Sequence, residues 1–106
     1  MSKIVLKHDN KEYELEYNGQ SVKMMEGQGF VLEEFTSKPM TMIPLLFHGA
    51  FIKNCNGIKR AKIDEIYDGV GNKTDLIGAL VEMYAETLST LTDDIEEGNV
   101  SWELVK

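Results

Sequence analysis

The chain has 106 residues, of which 42% are hydrophobic, and its formal net charge at pH 7 is −7. This length allows one small hydrophobic core and excludes a multidomain enzyme. The acidic balance argues against non-specific binding to nucleic acid or to an anionic membrane surface, because both require concentrated Lys and Arg. We therefore expect neither nucleic acid nor a membrane among the binding partners.

The N-terminal part, residues 3–17, alternates between polar and apolar side chains, which predicts the two strands of a β-hairpin. A two-residue turn at Asp9 and Asn10 fixes the register. The register aligns five pairs, which are His8 with Lys11, Lys7 with Glu12, Leu6 with Tyr13, Ile4 with Leu15, and Lys3 with Glu16. An isolated hairpin is only marginally stable, so we expect its apolar face to pack on helices and its free edges to invite another strand.

The sequence of residues 21–97 predicts a small bundle of about four helices. We expect the first helix to begin with Ser21 as its N-cap, and Gly27 together with Gly29 to end it. The second is predicted over 40–52, with Pro44 in its first turn. Together with the hairpin, this part gives an α+β fold that is mainly α.

The two later helices follow from the spacing of apolar residues. Ile58 and Ile63 have the spacing of a hydrophobic staple around a short helix that ends at Gly69. The last helix is predicted from about residue 72 to about residue 97. One apolar stripe of this helix consists of Leu76, Leu80, Met83, Thr87 and Leu91. Residues 98–106 form an acidic and polar tail, and we expect residues 1–106 to be a single domain.

The second helix is apolar on two sides, which distinguishes it from a surface helix. Ile43, Leu46, Phe47 and Ala50 share one face, and Leu45, Gly49 and Ile52 lie roughly opposite. A helix of this kind is buried on both sides. Its second face therefore meets either the hairpin or another subunit, and the sequence leaves both open.

Six methionines add candidate contact residues, because flexible thioethers suit adaptable binding surfaces, although they also fill cores. Trp102, in the tail, either folds back or docks on a partner. The C-terminal part of the chain also concentrates charge, since residues 82–106 carry seven acids and one base. The candidate residues for partner binding and self-association are Met24, Met25, Met42, Leu45, Gly49, Ile52 and Trp102.

No motif for catalysis, metal binding or cofactor binding is recognisable, and we expect none of these functions. His8, His48 and Cys55 are the obvious chemical candidates, and none of them sits in a recognised motif. A single cysteine also cannot form an internal disulfide, and the first residues lack the apolar core of a signal peptide. We therefore expect a cytoplasmic protein. A conspicuous polar pocket around His48 would favour an enzyme instead.

Four segments carry a resemblance to a known family. These are residues 13–17 (YELEY), 22–30 (VKMMEGQGF), 45–51 (LLFHGAF) and 80–84 (LVEMY). In this order they resemble small tail assembly chaperones of long-tailed phages and prophages of Gram-positive bacteria. The resemblance implies a non-enzymatic protein of the bacterial host cytoplasm that coats the tape measure protein before the tail tube polymerises. In such families a ribosomal frameshift often appends a second domain that recruits the tail tube protein. From the hairpin edge and from Leu45, Gly49 and Ile52 we also expect this domain to form homo-oligomers.

A different class of protein fits the same residues. A small phage or prophage adaptor, such as a tail-completion protein, would bind one partner at fixed stoichiometry. The number of copies bound per partner distinguishes the two hypotheses, since a chaperone of a long protein binds in many copies.

Overall fold

The computed structural model describes residues 3–55, 57–92 and 103, and this part of the chain contains a β-hairpin followed by four α-helices. The predicted fold class, α+β and mainly α, is confirmed. The elements in chain order are β1 (Ile4–His8), β2 (Lys11–Leu15), α1 (Gly19–Gly27), a 3₁₀ turn (Leu32–Glu34), α2 (Pro39–Gly49), α3 (Arg60–Asp68) and α4 (Lys73–Thr92).

The hairpin has five residue pairs, from Ile4 opposite Leu15 to His8 opposite Lys11. Four of them are among the five predicted pairs, so the predicted register is confirmed there. The turn residues Asp9 and Asn10 have φ values of 50° and 65°, which is the left-handed conformation that a tight two-residue hairpin turn requires. Asp and Asn tolerate this conformation better than most residues, so the turn and the register agree.

The predicted pairing of Lys3 with Glu16 is wrong. The Nζ atom of Lys3 lies 3.3 Å from Oε1 of Glu14, and Glu16 instead accepts a hydrogen bond of 2.8 Å from Lys53. Glu16 has already left the hairpin, because its backbone N–H donates to the carbonyl of Ala50 at 3.1 Å. Glu16 therefore pairs with the segment that follows α2 and not with β1.

Helix α1 begins earlier than predicted, because Asn18 rather than Ser21 is its N-cap. The Asn18 side chain accepts from the N–H of Ser21 at 2.8 Å, and Ser21 Oγ accepts from the N–H of Asn18 at 2.8 Å. This reciprocal capping box satisfies two backbone donors at the helix start. The predicted end at Gly27 is confirmed.

Helix α2 differs from its prediction at both ends. It spans Pro39–Gly49, and Pro39 rather than Pro44 occupies the first turn, while Pro44 lies inside the helix. Proline suits the first helical position, where the missing N–H would have no helical partner. Ile52, predicted to be the last helical residue, lies in the turn that follows.

Helices α3 and α4 begin close to their predicted positions. The N-cap of α3 is Lys59, so Ile58 and Ile63 occupy the two staple positions, and Gly69 caps the other end as predicted. Helix α4 is described from Lys73 to Thr92; its predicted end near residue 97 and the tail over 98–106 lie outside the described residues, apart from 103.

The hydrophobic core lies where the hairpin, α1, α2 and α4 meet. Its buried members include Leu15 and Tyr17 beside β2, Met25 of α1, Phe47 of α2 and Leu80 of α4. The hydroxyl of buried Tyr17 donates to the carbonyl of Leu46 at 2.6 Å. The predicted stripe of α4 is buried at Leu80, Met83 and Thr87, but Leu91 is 53% exposed. No helix in the described ranges is long and apolar enough to cross a membrane.

Candidate interaction surface

An apolar cleft lies beside α2, where α1 and the start of α3 approach it, and we call it the α2 cleft. Its volume is about 240 Å³, and its lining consists of Met24, Gln28, His48, Gly49, Ile52, Ile58, Arg60 and Ile63. A smaller cleft of about 110 Å³ shares four of these residues and adds Phe51, Cys55 and Gly57. Most of these side chains are apolar, which suits apolar side chains of a partner better than a small polar substrate.

Each element contributes to the α2 cleft for a local reason. Met24 and Met25 are neighbours on α1, and the helical turn of about 100° per residue directs them differently, so Met24 is 44% exposed while Met25 is fully buried. Ile52 follows the end of α2. Ile58 and Ile63 flank the first turn of α3. The cleft is thus built from residues at the ends of elements.

His48 connects two of these helices. Its Nε2 lies 2.7 Å from Oδ1 of Asp64 on α3, and because a carboxylate only accepts, Nε2–H is the donor. Nδ1 is buried and has no hydrogen-bond partner among the described residues. The pair links α2 to α3 at the wall of the cleft.

Cys55 shares the smaller cleft with His48. Burial raises the pKa of the Cys55 thiol. A thiol with a raised pKa carries little of the thiolate form that acts as a nucleophile. The Cys55 thiol is therefore poorly suited to nucleophilic attack.

Three of the predicted contact residues are buried within the chain. Met25 and Met42 are 0% and 3% exposed, and Gly49 is buried. A Cβ atom at Gly49 would collide with Sδ and Cγ of Met25, which places α1 directly against α2. Met42 Sδ accepts a hydrogen bond from the N–H of Val31 at 3.4 Å. At Gly49 the second apolar face of α2 is covered by α1, whereas Ile52, on the same face, lines the open cleft.

The other predicted residues have different placements. Met24 is exposed, Leu45 and Ile52 are half-buried, and Trp102 lies outside the described residues. Met24 and Ile52 come together in the α2 cleft, whereas Leu45 does not line it. The sequence prediction missed Ile58 and Ile63 as surface residues; the staple spacing identified both, but only as parts of a helix start.

A second apolar groove of about 360 Å³ runs between the end of α1, the 3₁₀ turn and α4. It is lined by Glu26, Phe30, Val31, Leu32, Glu33, Tyr84 and Leu88. Burial raises the pKa of Tyr84, and the negative charges of Glu26 and Glu33 raise it further. This groove therefore combines an apolar lining with acidic side chains, which suits apolar partner segments that carry basic residues.

One group of side chains in the described ranges has the composition of a metal site. Ligand atoms of His8, Asp9 and Glu65 lie within 4.8 Å of one another. Lys62 already supplies a cation there, since its Nζ lies 3.2 Å from Glu65 Oε2 and 3.7 Å from Asp9 Oδ2. The hydrogen bond to Glu65 raises the pKa of Lys62, so its ammonium stays charged. A metal ion would have to displace this ammonium group.

Comparison with known proteins gives one finding. The model of a family described as a domain of unknown function, DUF5055, matches residues 1–105. The chain belongs to the DUF5055 family. No curated protein and no solved structure matches it.

The DUF5055 description carries no activity, so a function for this DUF5055 chain must be argued from its surfaces. Apolar surface is available at the α2 cleft and at the groove beside Tyr84. Both are open, shallow and mostly apolar, and such surfaces are typical of protein–protein contacts.

Proposed function

We propose that this chain is a non-catalytic tail assembly chaperone that binds and solubilises a phage tape measure protein in the cytoplasm of the bacterial host. The resemblance of four sequence segments to such chaperones suggests the role. The α2 cleft is the observation that supports it most directly. An amphipathic helix can lay its apolar face into a groove of this kind, and a tape measure protein is a long helical chain with apolar faces.

The exposure of Met24 supports the same proposal. Met24 is 44% exposed at the α2 cleft, next to half-buried Ile52. A flexible thioether adapts to apolar side chains of varied shape, as a protein that binds many sites along one long partner requires. The binding of many weak modules along one chain also gains strength from multivalency.

The charge of the chain fits a solubilising role. A net charge of −7 on each copy opposes aggregation of a complex that would otherwise expose apolar surface. The acidic side chains beside the Tyr84 groove extend this charge to a second apolar surface.

Co-expression with a phage tape measure protein tests the proposal. We expect the wild-type chain to keep that protein soluble. Met24→Glu places a charge in the α2 cleft and should abolish the effect. Met40→Glu is the matched control, because Met40 is 87% exposed and does not line the cleft.

Three outcomes separate the alternatives. Loss of solubilisation with Met24→Glu and retention with Met40→Glu supports the chaperone and its site. Equal behaviour of the two variants contradicts the site. A soluble complex of one copy per partner contradicts the chaperone and favours an adaptor of fixed stoichiometry.

A further inference from the structure

The outer edge of β1 is available for another strand. In a hairpin with a two-residue turn, His8 and Lys11 form a hydrogen-bonded pair, so the pairing alternates and the backbone groups of Val5 and Lys7 point away from β2. Within the described part of the chain, these groups have no backbone partner outside the hairpin. The edge of β2 is different, because Asn54 donates to the carbonyl of Glu14 at 3.3 Å and Glu16 bonds to Ala50.

A cleft of mixed polar and apolar lining lies directly beside this open edge. Its volume is about 270 Å³, and its lining consists of Leu6, Lys7, His8, Ile66, Gly69, Val70 and Gly71. Side chains on one face of an added strand would meet Leu6, Ile66 and Val70. The edge therefore offers backbone hydrogen bonds together with an apolar site, which are the two components of strand addition.

The tail of this chain has the matching sequence. From Val100 to Leu104 it alternates strictly, with Val100, Trp102 and Leu104 apolar and Ser101 and Glu103 polar between them. This is the period of a half-buried strand. An added strand would place its apolar residues toward the cleft and Glu103 on the outer face, which β1 lines with Lys3 and Lys7. The alternation of the tail segment thus matches the two faces of the hairpin, and the charge of Glu103 is opposite to that of Lys3 and Lys7.

The donor is a second copy rather than the same chain. Glu103, at the centre of this segment, is exposed and lies outside any strand, and among the described residues β1 pairs with β2 alone. We propose that residues 100–105 of a second copy add to the outer edge of β1 as a third strand. Each copy then donates one tail and accepts another, a heterologous contact that repeats along an assembly. This inference concerns the chain alone and does not depend on the identity of a partner.

Two variants block the two halves of the contact. Val5→Pro removes the outward N–H of Val5 from an edge position, where proline is compatible with the hairpin itself. Val5→Thr is its matched control, because it keeps the N–H and the β-branched side chain. Trp102→Ala removes the largest apolar side chain of the tail and leaves β1 intact. Light scattering over a range of concentrations should show association of the wild type and of Val5→Thr. Both blocking variants should weaken it about tenfold or more, with unchanged circular dichroism.

Mixing the two blocked variants decides the direction of the contact. The Val5→Pro chain keeps an intact tail, and the Trp102→Ala chain keeps an intact edge, so an equimolar mixture should form a one-to-one dimer that neither variant forms alone. A mixture that stays monomeric overturns the proposal. A wild-type chain that is strictly monomeric at high concentration also overturns it, as does association that Val5→Pro and Trp102→Ala both leave unchanged.

Discussion

Replacement of Gly49 by alanine tests whether α1 and α2 pack as described. A Cβ atom at Gly49 would overlap Met25 Sδ and Cγ, and Met25 is fully buried, so it has little room to retreat. Overpacking of a core costs about 1–3 kcal/mol. The better helix propensity of alanine offsets at most about 0.5–1 kcal/mol of this loss in the free energy of unfolding. We expect Gly49→Ala to lower the free energy of unfolding by about 1 kcal/mol.

The same substitution at Gly78 is a matched control. Gly78 lies in α4, and nothing lies within 4 Å of the position that its Cβ would occupy. Gly78→Ala should therefore gain stability, by about 0.5–1 kcal/mol. For a domain of this size, each kcal/mol corresponds to a shift in melting temperature of about 4 °C. The two variants should thus move the melting temperature in opposite directions.

Urea unfolding followed by circular dichroism measures both effects. A double variant sharpens the test, since Met25→Ala removes the atoms with which the new Cβ collides and should relieve most of the cost of Gly49→Ala. Contacting residues usually show such coupling at about 0.5–3 kcal/mol. If Gly49→Ala were as stable as the wild type with an unchanged m-value, the close packing of α1 on α2 would be refuted. Gly49 and Met25 would then again be candidates for a surface between subunits.

Two further predictions follow from single contacts. Asn18→Ala should lower the free energy of unfolding by about 1 kcal/mol, because it removes the capping box of α1, and urea unfolding together with the helical dichroism signal would register the loss. Burial raises the pKa of Tyr17 well above 10.0, its ordinary value, so the folded chain keeps a proton that the unfolded chain loses. The stability contributed by neutral Tyr17 is therefore present below pH 10 and declines as the pH rises further. Tyr17→Phe should flatten that decline in unfolding experiments from pH 8 to 11, and an equally steep decline in the variant would show that other groups cause it.

The hairpin was the most predictable part of the chain, because turn chemistry and side-chain alternation determine its register together. Asp9 and Asn10 suit a left-handed turn, and that turn leaves one register, in which Ile4, Leu6, Tyr13 and Leu15 share one face while Val5 lies on the other. The pair of Lys3 with Glu16 failed because Lys53, 37 residues away along the chain, competes for Glu16. Such a contact depends on tertiary structure, which local spacing does not contain.

Helix starts were less predictable, because neighbouring residues satisfied the same rules. Asn18 and Ser21 are both good caps, and the structure uses them together, one as the cap and the other as its reciprocal partner. Pro39 and Pro44 both suit a first turn, and the earlier one occupies it. Sequence rules identify the allowed residues, and packing selects among them.

The candidate site was only partly predictable for a related reason. Periodicity shows that α2 has two apolar faces, but it does not show which neighbour covers each face. Met25 and Gly49 proved to be covered by the contact between α1 and α2, while Met24 and Ile52 line the open cleft. The inclusion of Ile58 in the cleft depends on the approach of α3, which no local pattern encodes.

The molar ratio of the complex with a phage tape measure protein tests the proposed function most directly. Mass photometry or native mass spectrometry of the co-purified complex would count the copies. The account predicts several copies of this chain per partner, with fewer bound copies when Met24 is replaced by Glu. A complex with one copy per partner, or no complex with a chain that remains folded, would contradict it.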